Sequence, residues 1–119
     1  MNTNSNYQHI NTQQLLQLQQ LMGEIFDELI PSYIEGADAL FTNADSLFES
    51  ADITTLERLS HSLKSSSRNV GANSLGDAAE TLEMLAREKN LTEYINAFSE
   101  VKQLYQQVKS ELLKFDTER

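Results

Sequence analysis

Apolar residues recur along most of this chain at spacings of three and four, the repeat of a helix that buries one face. The longest run is C-terminal. Tyr94, Phe98, Val101, Tyr105, Val108, Leu112 and Phe115 alternate four and three without a miss, predicting a long helix from about Thr92 that needs a partner throughout its length. Before it, Leu75, Ala78/Ala79, Leu82 and Leu85/Ala86 predict a helix starting at Asn73 or Ser74, with Asn90 as its C-terminal cap. Leu56, Leu59, Leu63 and Val70 mark another, capped by Asp52 and ending near Asn69. Further upstream, Phe26, Leu29/Ile30, Tyr33, Ala37, Leu40, Ala44 and Leu47 keep the same rhythm. A second stripe, Ile34, Phe41 and Phe48, reads as core packed by an N-terminal helix. Pro31 lies inside this run, so the helix either kinks there or begins anew with Pro31 in its first turn.

Asn11 or Thr12 can cap a first helix whose buried positions are Leu15, Leu18, Met22 and Ile25, weakened towards its end by Gly23. Residues 1–10 are polar and aperiodic and read as a flexible tail, with His9 exposed in it. No strand alternation occurs. The pattern therefore predicts an all-α fold, an antiparallel four-helix bundle with an additional short N-terminal helix, as one domain over residues 11–117.

Composition narrows the function. There is no cysteine, hence no disulfide and no thiolate metal site. No apolar run approaches the ~20 residues of a membrane span, and the N-terminus has no signal-peptide pattern, so the expected location is cytoplasmic and off the membrane. A net charge of −9 argues against a nucleic-acid partner. Neither histidine has a glutamate three residues before it, so a bundle-type metal centre is not expected, and no glycine-rich loop offers a nucleotide site.

Against that acidic background, no Asp or Glu occurs between Arg58 and Gly76. On a helical wheel His61 points almost directly away from the apolar ridge. Thr54, Glu57, Arg58, Lys64, Ser65 and Arg68 lie within about 60° of it, so three of the nine cations share the histidine's face. An anion is the natural guest of such an island.

The run His61-Ser-Leu63-Lys64-Ser65-Ser-Ser-Arg68-Asn-Val-Gly71 resembles the signature of histidine-containing phosphotransfer (HPt) domains, in a stand-alone bacterial form. That signature has a hydrophobic residue two after the histidine, Lys three after, Gly four after and Gly ten after. Leu63, Lys64 and Gly71 match; Ser65 stands where glycine is usual. The resemblance implies a phosphorelay intermediate. His61 accepts a phosphoryl group from a receiver-domain aspartate and passes it to another receiver. Lys64 stabilises the phosphoryl group, Arg58, Ser65 and Arg68 dock the partner, and Gly71 serves the turn. It also implies a phosphocarrier rather than an enzyme, with no cofactor of its own and Mg²⁺ held by the receiver. The partners are then receiver domains of response regulators or a hybrid histidine kinase.

Neutral imidazole is a competent nucleophile near pH 7, and Lys64, one turn on, can reach phosphoryl oxygens. Arg68, nearly two turns on, is better placed for the acidic rim of a receiver. The other reading is a helical adaptor that binds a signalling partner without chemistry. The dimerising domain of a histidine kinase fits poorly, because there an acidic residue follows the histidine. The apolar stripes can satisfy one another within one bundle, so the protein is expected to sediment as a 13.5 kDa monomer at micromolar concentration; a mass near twice that would contradict the reading.

Overall fold

The structure is a computed structural model and describes residues 7–119. Its helices are α1 (Thr12–Met22), α2 (Leu29–Ser50), α3 (Ile53–Asn69), α4 (Asn73–Arg87) and α5 (Leu91–Glu118), with a 3-10 segment, Gly23–Glu28, between α1 and α2. α3 packs on α2 and α4, and α5 packs on the same two. The last four helices thus close a ring around one core, and the described residues contain no strand. This is the predicted class, a helical bundle with a short N-terminal addition.

All seven apolar positions of the α5 run are buried. The Ile34–Phe41–Phe48 stripe is core as expected, but α5 covers it rather than the N-terminal helix. Phe41 stacks on Tyr105 with centroids 4.7 Å apart, and Phe48 meets Phe98 edge-on at 5.1 Å. Pro31 falls in the first turn of α2, where backbone N–H groups have no intrahelical partner and its missing donor is harmless. The 3-10 segment absorbs the break and changes the phase. Phe26 is fully buried, whereas Ile25, expected on the buried face, is 67% exposed. Asn90 caps the start of α5, accepting from the Glu93 N–H at 3.2 Å, rather than the end of α4.

The buried stripe of α3 is Leu56, Ser60, Leu63, Ser67 and Val70, and Leu59 is only partly covered. Serines can occupy a core stripe because each has a tyrosine partner. Ser60 Oγ lies 2.7 Å from the Tyr94 hydroxyl and donates to the Leu56 carbonyl, and Ser67 Oγ lies 2.8 Å from the Tyr33 hydroxyl. Among the described residues no buried side-chain polar atom lacks a partner, as burial requires. Their small size also brings neighbouring helices close. Gly71, at φ 79°, makes the α3–α4 turn in the left-handed region, and its carbonyl accepts the Asn11 N–H at 2.9 Å. A Cβ there would sit 3.0 Å from the Asn11 carbonyl oxygen.

Residues 1–6 lie outside the described residues, but 7–10 are not a loose tail. Tyr7 is 8% exposed, packs edge-on against Phe115 at 6.3 Å and donates to Glu118 at 3.2 Å. Lys114 stands over its ring, Ile10 is buried, and the backbone N–H of His9 donates to Glu111 at 2.9 Å. An irregular segment can bury residues without any period, and periodicity is blind to that. Tyr7→Ala should cost about 2–4 kcal/mol in urea unfolding, while Gln8→Ala, at an exposed neighbour, should stay within about 0.5 kcal/mol of the parent.

Candidate functional site

α4 turns one charged stripe towards α3. From its C-terminal end, Arg87, Glu83, Glu80 and Asp77 follow each other at spacings of three and four. Because α3 runs the opposite way, they meet Glu57, His61 and Lys64, and then Arg68. Arg87 bridges to Glu57 at 3.4 Å and to Glu83 at 3.2 Å, and Arg68 Nη2 reaches Asp77 at 2.9 Å and Glu80 at 3.0 Å. Gly76 makes room for this. A Cβ at that position would lie 2.6 Å from the Arg68 Cγ.

Glu83 is the centre of the stripe. Its side chain is 7% exposed; Oε2 lies 2.7 Å from His61 Nδ1, and Oε1 accepts from Lys64 Nζ at 2.7 Å. The Lys64 hydrogen bond, helped by that of His61, holds the carboxyl below the usual carboxylate range, against the burial that would raise it. An ionised carboxylate can only accept. The shared hydrogen therefore belongs to Nδ1, and the neutral ring carries its lone pair on Nε2. His61 is 59% exposed, and among the described residues no hydrogen bond occupies Nε2. An exposed imidazole with one nitrogen pinned and the other free is arranged as a nucleophile.

Residues 28–111 match the sequence pattern of the Hpt domain. The chain belongs to the Hpt domain family. Histidine-containing phosphotransfer protein B (HptB) from Pseudomonas aeruginosa PAO1 has a crystal structure with the same fold. The TM-score is 0.86 at 20% sequence identity, with 93% of this chain and 96% of that one covered. No curated protein matches closely enough to count as a relative. Hpt domains are phosphocarriers of phosphorelays, exchanging phosphoryl groups with two-component receiver and kinase partners.

The remaining candidate residues of this Hpt domain are placed as follows. Ser65 is exposed on the outer surface of α3. Lys64, read as an exposed cation, is 18% exposed and held by Glu83. Arg68 is not a free rim cation but a clasp between two helices. Arg58 is exposed and lines a cleft with Thr54, Glu57, His61 and Glu83. On the other flank of α3, a groove against α2 is lined by Ser32, Gly36, Leu40, Leu59, Ser62 and Ser66, and continues past Tyr33 to Met22 and Ile25. Among the described residues no group of three or more His, Cys, Asp or Glu side chains could hold a metal ion, and no helix is long and apolar enough to cross a membrane.

Glu83 is the residue that the single-helix reading missed; it lies 22 positions from His61 and comes from the neighbouring helix. A carboxyl whose pKa is lowered on folding stabilises the fold above its unfolded value, and that contribution is lost as pH falls through the folded value. Glu83→Gln should therefore cost about 1–2 kcal/mol at pH 7, less than a fully buried charge pair because His61 and Arg87 are solvated. The gap from the parent should shrink below about pH 4. Urea titrations across pH measure this, and ¹⁵N spectra of the His61 ring should show the Nδ1–H tautomer losing its dominance.

Proposed function

We propose that this Hpt domain relays phosphate between receiver aspartates through His61. The observation that supports the reading best is the ring held by Glu83 at Nδ1 with Nε2 left to solvent. In the step so read, the Nε2 lone pair attacks the phosphorus of a receiver's aspartyl phosphate. The P–N bond forms, the P–O bond to the aspartyl carboxyl breaks, and the carboxylate leaves with the electron pair. No proton has to move. The phosphorylated ring becomes a cation with its hydrogen still on Nδ1, directly against the Glu83 carboxylate, which stabilises the charge the step creates. Return transfer is the same path reversed.

Lys64 takes part through Glu83, keeping the carboxylate ionised, and it can reach the phosphoryl group only by leaving that partner. The Mg²⁺ and acidic pocket that phosphoryl transfer needs are assigned to the receiver. For its aspartate to reach Nε2, the receiver has to lie across the exposed surface of α3. That places it over Ser65 and Ser62, and Ser62 also borders the groove against α2. The receiver is the occupant we assign to that groove, with the exposed Ile25 at its far end. Arg68 can add to docking at its exposed edge while clasping α4. Relay between receivers fits a cytoplasmic location.

His61→Gln should abolish acceptance of label from phosphorylated receivers while helicity stays at the parent's value, since the ring contributes little packing. The parent protein with ATP and Mg²⁺ alone should remain unlabelled. Label on His61→Gln, or a parent that takes none from any receiver, would leave the adaptor reading in its place.

A further inference from the structure

Three cations share the histidine's side of α3, and two are committed elsewhere. Lys64 Nζ is 2.7 Å from Glu83 Oε1, and Arg68 spans Asp77 and Glu80. Arg58 is exposed and, among the described residues, has no hydrogen bond or ion pair; its charge is felt only at a distance, by Asp52. It lines the same cleft as His61. That cleft has a volume of about 320 Å³, against about 30 Å³ per liquid water, so a phosphoryl group and a guanidinium fit in it together.

Direction matters as much as proximity. Nδ1 faces Glu83, so a phosphoryl group on Nε2 extends from the opposite edge of the ring. Lys64 Nζ is held at 2.7 Å by the carboxylate's other oxygen, so its charge is committed to Glu83. Helical side chains lean towards the N-terminus of their helix, which carries the His61 ring towards the turn bearing Arg58. Residues three apart on a helix have Cβ atoms about 5–6 Å from each other, well within the reach of an arginine. A guanidinium fork also matches two phosphoryl oxygens, which a lysine ammonium does not.

We propose that Arg58 is a catalytic residue of the transfer, the cation that binds the phosphoryl oxygens as the group arrives on Nε2. Arg58 keeps all its protons and exchanges water for phosphoryl oxygens, while the P–N bond forms and the aspartyl P–O bond breaks as above. This rests on His61 being the acceptor. It separates three cations that look alike in sequence: Arg58 touches the reacting group, Lys64 acts through Glu83, and Arg68 holds α3 to α4.

The test uses two donors, a phosphorylated receiver at saturating concentration and phosphoramidate, a small N-phosphoryl donor that needs no docking. Phosphohistidine formation is followed by intact mass and ³¹P NMR in the parent, Arg58→Ala, Arg58→Lys and Arg68→Ala, with circular dichroism as the folding check. Arg58→Ala should slow acceptance at least tenfold from both donors and move the ³¹P resonance of phosphorylated His61. Arg58→Lys should recover part of the rate, and Arg68→Ala should lose more with the receiver than with phosphoramidate. An Arg58→Ala protein slowed with the receiver but unchanged with phosphoramidate would make Arg58 a docking residue and overturn the assignment. A parent that takes phosphate at His61 from neither donor would remove the acceptor reading itself, and the proposal with it.

Discussion

A single buried carboxylate organises the functional face. Glu83 is almost fully enclosed yet charged, and an enclosed charge survives only if it is paired and hydrogen-bonded. Its partners are His61, Lys64 and Arg87, contributed by two helices. The same contacts that keep Glu83 ionised fix the rotation of α3 against α4, orient the imidazole and choose its tautomer. Removing Lys64, the cation that α3 contributes, would therefore disturb more than its own contact.

The close approach that makes this pairing possible comes from the residues with least to offer chemically. Ser60 and Ser67 keep the buried side of α3 slim and hand their hydroxyls to Tyr94 and Tyr33. Gly76 leaves the aliphatic part of Arg68 lying flat on α4. Burial pushes the Tyr33 hydroxyl up to about 12, so it stays protonated and available to Ser67 across the working pH range. His61 is wet on one edge, and its backbone is held by dry, fully paired polar contacts on the other side of the same helix.

Much of this was legible from the chain alone, and the omissions have physical causes. The α5 positions could be read one by one because a helix buried along its length has to repeat. Leu59 and Ser60 exchanged their expected burial because the wheel weighs hydrophobicity and takes no account of a tyrosine from another helix waiting for a hydroxyl. The basic island around His61 was real in sequence and is partly neutralised in space. A helix wheel sees one helix at a time, and the neutralising acids belong to the next. The signal was present nonetheless: Asp77, Glu80 and Glu83 recur at helical spacing on α4, as His61, Lys64 and Arg68 do on α3, as expected for facing stripes of opposite charge. Tyr7 carried no such signal, since an isolated aromatic in an aperiodic segment looks the same whether it is docked or free.

The contact between Tyr7 and Glu118 joins residues 111 positions apart, whereas the bundle's other contacts are made mostly between consecutive helices joined by short turns. Closing so wide a loop costs more chain entropy than any neighbouring-helix contact, though the cost grows only slowly with length. Helix pairs can form early from local contacts and be rewarded at once. The two chain ends can meet only after the bundle between them exists, so their meeting is a late event in assembly and an early one in opening. The terminal seam is thus the region where local unfolding should be cheapest.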